Sequence, residues 1–442
     1  MHVVLPLDER LSLQKQGPAG CRGYSQSRQL RRCRYHDTPK RMKHDTKPLS
    51  SLVLITAIAC AGMLASCGGG HTPAESAEAK LTRVVDSQWG KFASSLPGGL
   101  SIAVITPNGE YFASTLDGAT ADTYFRGAST TKTFTAAAVM LLQQRGMLDI
   151  KQVLTANIPG TTRPYVPATP DFAIPYKDRI TIEQLLRHRA GVFDVGNTDV
   201  PATANAPYAG QRYVDWVEDT QGEMHSYTLD EMVGVVARND LVGGLPGDAF
   251  RYSNTGYSLL AKIVEQVSEK TFAQFVHEEL LVPNGLDKTT FPDDGRAQNL
   301  PVPFFEGTTR VGGVLYPTTH RNVSWGVGEG NVVTTPSNLA RWFRRLIKGD
   351  AGLTMQAIAS MRACEPTNEI HVSYGLGLGC DPVDLGVGHN GGITGYMTTA
   401  RHDTVNDVTI VVFATVLDAD NLMTEAMMLY ETARQARTVL GY

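Results

Sequence analysis

This 442-residue chain contains no Cys-x-x-Cys, no His-Glu-x-x-His and no acidic calcium loop. Nothing in it therefore points to a bound metal, and no cofactor is expected. It has no internal repeat, which excludes a solenoid or a propeller. Cysteine is scarce. Of six, Cys21, Cys33, Cys60 and Cys67 crowd the N-terminal end, and only Cys364 and Cys380 lie in the body. Those two are either a disulfide, as an oxidising compartment would allow, or two buried thiols. Excess positive charge is also missing. From Cys67 onward 29 Lys and Arg face 40 Asp and Glu, a net charge of −11. An acidic body argues against nucleic acid as a partner. No Lys or Arg occurs between Arg362 and Arg401.

What is present is ordinary globular material. Hydrophobic residues make up 42% and charged residues 19%, enough for one large domain or two. The N-terminal end is different. Residues 1–41 are Arg-rich and without apolar periodicity, and are expected to be a misassigned start or a disordered extension. Met42-Lys43-His44-Asp45-Thr46-Lys47 then precedes the uncharged residues 49–66. Residues 42–66 have the layout of a signal peptide, with an apolar stretch short for a membrane span. Leu64-Ala65-Ser66-Cys67 resembles a bacterial lipobox, which implies cleavage before Cys67 and lipidation of its sulfur. The mature protein would be lipid-anchored at the cell envelope, facing the periplasm, at the outer membrane in a Gram-negative cell. Residues 67–78 have a tether composition.

The folded domain is expected over 79–442. Ser101 to Ile105 and Glu110 to Ser114 flank Pro107-Asn108-Gly109, a hairpin signal. A helix opens at Ser129 and is stopped by Gly146; others are expected from Gly256 to Val267, from Ser337 to Ile347 and from about Asn421 to Val439. Strands are expected over Gly395 to Arg401 and Asp407 to Leu417. Strands at both ends around a helical middle imply an α/β (α+β) fold. Its antiparallel sheet is flanked by helices, with a second, mostly helical lobe over about 155–335.

Three short segments carry the chemistry. Ser129-Thr130-Thr131-Lys132 places a hydroxyl and an ammonium one helical turn apart. Alone it is weak, since Ser12-Leu13-Gln14-Lys15 matches the same pattern. Tyr252-Ser253-Asn254 stands before a helix, and His389-Asn390-Gly391-Gly392 leads into a strand. Taken singly, the Tyr reads as a packing aromatic and the His as a turn residue. Gly127-Ala128-Ser129-Thr130-Thr131 is not a Gly-x-Ser-x-Gly elbow, which disfavours an α/β-hydrolase. The run Gly326-Val327-Gly328-Glu329-Gly330 lacks the strand-to-helix setting of a phosphate loop, and with Trp325 it is expected to border a cleft.

In chain order, Ser-x-x-Lys, Tyr-Ser-Asn and His-x-Gly resemble the three motifs of the serine β-lactamase and penicillin-binding superfamily. They look most like its D-alanyl-D-alanine carboxypeptidase and class C-related esterase branch. Leu185-Leu186-Arg187-His188-Arg189-Ala190-Gly191, Gly330 to Ala340 and Tyr374 to Gly379 resemble that branch too, so the likeness spans roughly 80–440. It implies a β-lactamase-like fold and an acyl-Ser129 intermediate. Ser129 would be the nucleophile and Lys132 the adjacent positive charge. Tyr252 would be the base, its phenolate made accessible by that charge. Asn254 would orient substrate and Lys132. The N–H groups of Ser129 and Gly392 would form the oxyanion hole, with Gly391 leaving room for substrate. His389, with Asn390 beside it, would line the opposite wall, while His188 would serve a structural hydrogen bond. The implied partner is a peptide, β-lactam or ester substrate. Peptidoglycan peptides are favoured, with an esterase or D-amino acid peptidase as the alternative. A β-lactamase is further off, because His389-Asn390-Gly391 stands where class C enzymes have Lys-Thr-Gly. A catalytically silent penicillin- or peptide-binding lipoprotein is the reading of a different class.

Overall fold

The computed structural model describes residues 75–92, 96–367 and 372–442. The expected extension, signal peptide, lipidation site and most of the tether lie outside the described residues. Helix α1 (Ala77–Phe92) begins two residues before the expected domain start and buries Leu81, Val84 and Val85. Strands β1 (Leu100–Thr106) and β2 (Gly109–Ser114) form the expected hairpin. Its turn needs Gly109, whose φ is +152°. Strand β3 (Phe125–Ala128) leads into α2 (Thr131–Gln144). The helical pieces α3 (Ile182–Leu186), α4 (Tyr213–Gln221), α5 (Leu229–Arg238), α6 (Asn254–Ser268) and α7 (Phe272–Val276) follow.

The middle of the chain is not wholly helical. It contains strands β4 (Thr308–Val311), β5 (Val314–Pro317) and β6 (Val332–Thr334) before α8 (Pro336–Lys348) and α9 (Met355–Met361). The short pair β7 (Glu365–Pro366) and β8 (Ser373–Tyr374) precedes β9 (Val387–Ile393), β10 (Tyr396–Asp403) and β11 (Val408–Ala414). The expected last strand is split: Thr415 ends it, and β12 (Val416–Asp418) joins β4 in parallel. Helix α10 (Leu422–Leu440) closes the chain. Among the described residues no helix is long and apolar enough to cross a membrane.

The main sheet runs β2-β1-β11-β10-β9, antiparallel throughout. The N-terminal β1 pairs with the C-terminal β11, as strands at both chain ends require. Its faces have separate cores. One carries Ile102, Val104, Ile410, Val412 and Met397 against α1 and α10. The other carries Ala103, Ala400, Val411 and Phe413 against α2, α6 and α8. Alternation along each strand makes this division, since neighbouring side chains point to opposite faces. Helix α2 lies inside the second core, and every residue from Thr131 to Leu142 is buried, which explains its alanine content. Phe134 stacks on Trp342 of α8 with centroids 4.1 Å apart, and the Trp342 indole N–H donates to Thr133 at 2.8 Å.

Cys364, just before β7, and Cys380, beyond β8, are joined in a disulfide. Replacing both by serine is expected to lower the unfolding free energy by about 3 kcal/mol, through greater freedom of the unfolded chain. Guanidinium denaturation without reductant measures this; an unmoved midpoint would show that the cross-link contributes nothing.

Candidate active site

Strand β3 ends on a residue of unusual conformation. Ala128 has φ +51°, a left-handed region that costs a non-glycine residue about 1–3 kcal/mol. The turn lifts Ser129 out of the strand and leaves it part-exposed just ahead of α2. The threonines around it fasten this turn. Thr130 Oγ1 donates to the Gly127 carbonyl at 2.8 Å, Thr131 Oγ1 to Ala128 at 2.7 Å, and Thr131 Oγ1 accepts from the Val332 amide at 2.9 Å. Strand β6 thereby holds the start of α2.

Lys132 is wholly buried, and its ammonium has three oxygen partners. Nζ donates to Ser129 Oγ at 3.1 Å, to Asn254 Oδ1 at 2.6 Å and to the Glu329 backbone carbonyl at 2.7 Å. Burial pulls its pKa down to about 8, against the opposing attraction of the Glu329 and Asp194 carboxyls. Tyr252 behaves differently from the expectation of an accessible phenolate. Its hydroxyl hydrogen-bonds Ser129, and Nζ lies 4.9 Å from its ring centroid. The residue is partly exposed, but the enclosure of its hydroxyl end raises its pKa well above the ordinary value, and the Ser129 bond only partly offsets this. Tyr252 is therefore a neutral phenol here, and Lys132 is the group that loses a proton first.

The Tyr-Ser-Asn segment is held by capping and stacking. Ser253 caps α6 by accepting from the Gly256 amide at 3.1 Å, which puts Asn254 on the first turn facing Lys132. The Ser253 amide donates to His188 Nδ1 at 3.1 Å, and the His188 ring stacks on Tyr252 with centroids 4.1 Å apart. His188 thus does more than satisfy a bond: it sets the plane of the Tyr252 ring. His188 and Gly191 both have positive φ, and a side chain on Gly191 would collide with the Gly244 carbonyl.

Strand β9 divides its residues between the two faces. His389 is in register with Ala400 and Gly391 with Thr398, on the α2 side; Asn390 is in register with Thr399, on the α10 side. A carbon on Gly391 would come within 2.7 Å of the Gly127 carbonyl and 3.0 Å of the Ser129 amide nitrogen. Glycine is required there because the strand lies directly on the Ser129 turn. Gly392, next along, is exposed. His389 is buried, shares a 2.9 Å hydrogen bond with the Tyr374 hydroxyl, and is driven down to about 3 by burial and by Lys132. It is uncharged at neutral pH. Asn390 is turned away from the cleft. Its Nδ2 donates to the Tyr430 hydroxyl of α10, and its Oδ1 accepts from Thr399 at 2.9 Å and Arg401 Nη2 at 3.0 Å. Its expected place on the substrate wall is corrected: strand alternation directs it to the other face.

Ser129, Lys132, Tyr252, Asn254, His389 and Gly391 thus converge from β3, α2, α6 and β9. The beta-lactamase family model matches residues 92–429. The chain belongs to the beta-lactamase family. Penicillin-binding protein 4* of Bacillus subtilis (strain 168) is 26% identical over 289 residues, 62% of this chain and 56% of that protein. Protein flp of Staphylococcus aureus (strain MW2) is 26% identical over 226 residues, 50% of this chain and 38% of its own length. The chain spans about half or less of the length of these curated relatives. Two solved structures share the fold. D-stereospecific amidohydrolase from Streptomyces sp. has a TM-score of 0.66 at 20% identity, covering 80% of this chain and 98% of that one. D-amino acid amidase from Ochrobactrum anthropi SV3 has 0.64 at 20%, covering 83% and 99%.

For this beta-lactamase-family chain, sequence reasoning missed Asp194 and Glu329, two buried carboxyls beside Lys132. Glu329 had a signal, as the one acid inside the Gly-x-Gly-x-Gly loop expected to border the cleft; Asp194 had none but its place six residues after His188. Among the described residues no group of three or more His, Cys, Asp or Glu is placed to hold a metal. The position of Asn390 carries a prediction. Asn390→Ala should destabilise the fold by about 1–3 kcal/mol, by leaving Arg401 and Thr399 short of a partner, while kcat/KM changes less than about threefold. Thermal denaturation and turnover measured together check it; a large fall in kcat at unchanged stability would return Asn390 to the substrate wall.

Proposed function

We propose that the chain is a serine hydrolase that forms an acyl-Ser129 intermediate, with Lys132 as the base. The hydrogen bonding around Nζ carries this reading. Asn254 Oδ1 and the Glu329 carbonyl can only accept. Once Lys132 loses a proton, its two remaining N–H bonds stay on those oxygens and its lone pair faces Ser129 Oγ. Ser129 then passes its proton to Nζ as Oγ attacks the substrate carbonyl. The carbonyl oxygen is received by the Ser129 and Gly392 amides. The Tyr252 phenol, bonded to Ser129, is placed to deliver a proton to the departing nitrogen or oxygen. Water releases the acyl group by the reverse proton path.

Amides, peptides or esters of D-amino acids are the substrate class the site favours. The observation behind this is the uncharged wall of β9. His389 is neutral, and the Arg401 of neighbouring β10 is tied to Asn390, Tyr430 and the Gly379 carbonyl. A carboxypeptidase that clamps a terminal carboxylate calls for a cation or a hydroxyl cluster instead. Two structures of similar fold are a D-stereospecific amidohydrolase and a D-amino acid amidase. D-alanyl-D-alanine carboxypeptidase activity is the second reading, supported by the likeness to penicillin-binding protein 4*. Anchoring through a lipid on Cys67 would hold either activity at the envelope, near peptides that contain D-residues.

The wild type and Ser129→Ala are compared with a fluorescent penicillin, a chromogenic ester, D-phenylalanine amide and a D-Ala-D-Ala peptide. Label and turnover are expected for the wild type alone, with the free-carboxylate peptide at least about tenfold slower than the amide. No label and no turnover with any of them would refute the hydrolase. Because Lys132 must be deprotonated, kcat/KM should rise with pH through about 8. Lys132→Arg, which cannot lose its proton, should lower it on the order of 10²–10⁴-fold.

Processing is tested by mass spectrometry of membrane-extracted protein. The expected species begins at Cys67 and carries the added mass of acyl chains; retention of any earlier residue sinks the anchor.

A further inference from the structure

We propose that Asp194 and Glu329 form a carboxyl pair that sets the charge and aim of Lys132, Asp194 as the ionised member acting through Asn254 and Glu329 as the protonated member. Both are positioning residues, and neither touches Ser129 in the hydrogen bonds described above. The geometry rests on convergence. A carbon placed on Gly196 would lie 3.6 Å from Asp194 Oδ1, 3.8 Å from Glu329 Oε1 and 3.8 Å from Asn254 Nδ2. All three side chains are buried. The Asn254 amide therefore has a carboxyl partner on one side and Lys132 on the other. Its Nδ2 donates to Asp194 Oδ2 at 3.4 Å while its Oδ1 accepts from Nζ at 2.6 Å. An anion at Asp194 holds the amide that way round; a reversed amide would point N–H groups at an ammonium.

The two carboxyls differ in what they receive. Asp194 Oδ2 accepts from two amides, Asn197 Nδ2 at 3.0 Å and Asn254 Nδ2 at 3.4 Å, while its Oδ1 has no hydrogen-bond partner. Glu329 Oε2 accepts from Ser258 Oγ at 3.0 Å, and Oε1 has no hydrogen-bond partner. Donors favour the ionised form, and a buried carboxyl short of them stays protonated. Burial raises both groups, Glu329 to about 8. The loop at Val195 is tied to α6 by a 3.0 Å bond from its amide to Thr255 Oγ1, so Asp194 is held in place against Asn254. The groups facing Lys132 are then Ser129, Asn254, Asp194 and Glu329, the rings of Tyr252 and Tyr257, and neutral His389. In this assignment Asp194 supplies the negative charge beside Lys132 at neutral pH.

The consequence for rate rests on the acyl-Ser129 reading, but the charge on Lys132 is measurable without substrate. The protein is labelled with [ε-13C]lysine, the Lys132 signal is assigned by its loss in Lys132→Arg, and its titration is followed by NMR. Asp194→Asn removes the anion, so the Lys132 midpoint should fall by one pH unit or more. The acid limb of kcat/KM should move down with it, which a merely structural defect would not do. Glu329→Gln keeps the shape of the protonated acid and should move the midpoint less than half as far. Asn197→Ala, which strips one donor from Asp194 and leaves the Lys132 partners in place, should move it in the same direction by less; it carries the test if Asp194→Asn fails to fold. A midpoint unmoved in both Asp194→Asn and Asn197→Ala overturns the proposal. A larger shift in Glu329→Gln than in Asp194→Asn overturns the assignment of charge. A wild type that titrates as expected but turns over no substrate sinks the acyl-Ser129 reading alone.

Discussion

The site is organised by one demand, that a buried primary amine must have oxygen partners. An unpartnered ammonium in a protein interior is expensive, by several kcal/mol even after relaxation. Lys132 meets the demand with one oxygen from its own segment, one from the start of α6 and one from the loop after Trp325. Those three segments are far apart in the chain, and the amine is where they meet. The loop glycines follow from this. Gly328 lies against Ala261 and the Tyr257 carbonyl of α6, and its own carbonyl accepts from Thr135 of α2 at 2.6 Å. A side chain there would lift the loop and withdraw the Glu329 carbonyl from Nζ.

A second constraint comes from the period of two along β9. It gives one residue to the cleft and the next to the scaffold. His389 and Gly391 lie on the Ser129 side, while Asn390 is built into a buried polar group with Thr399, Arg401 and Tyr430. That group joins the sheet edge to α10. Gly391 does the complementary work on the inner face, where the absence of a side chain lets the strand rest on the Ser129 turn. Approach of the strand to the Ser129 turn and stability of the sheet edge are thus written into adjacent residues.

Much of this was legible in the sequence. The Pro107-Asn108-Gly109 hairpin, the apolar faces of α6 and α8 and the pairing of N- and C-terminal strands follow from periodicity and turn chemistry. The three motifs, far apart in the chain, are brought together by the fold. What escaped had physical reasons. The β4–β5 hairpin has exposed residues from Val314 to Pro317 and so lacks the alternation of a half-buried strand. Asp194 and Glu329 are single acids in loops, and only tertiary packing shows them to be buried. Asn390 was misassigned because the side a residue faces depends on register. Tyr252 was expected to ionise because a cation lies near it, but proximity is one of two opposing effects; desolvation, invisible in a sequence, is the larger.

The balance between those effects also bears on the chemistry. Burial acts in opposite senses on an amine and a phenol, since it disfavours the charged form of each. It lowers Lys132 and raises Tyr252, so in the proposed mechanism the same enclosure suits one to be a base and the other a proton donor. Two groups with ordinary values near ~10 are thereby moved apart mainly by desolvation, with the neighbouring carboxyls raising both. The neutral His389 fits the same pattern, because a cation on that wall would lower Lys132 still further. An amine lowered by desolvation is lowered further by a nearby cation, and the bonds from Arg401 to Asn390 and Tyr430 hold its charge on the α10 side of the sheet.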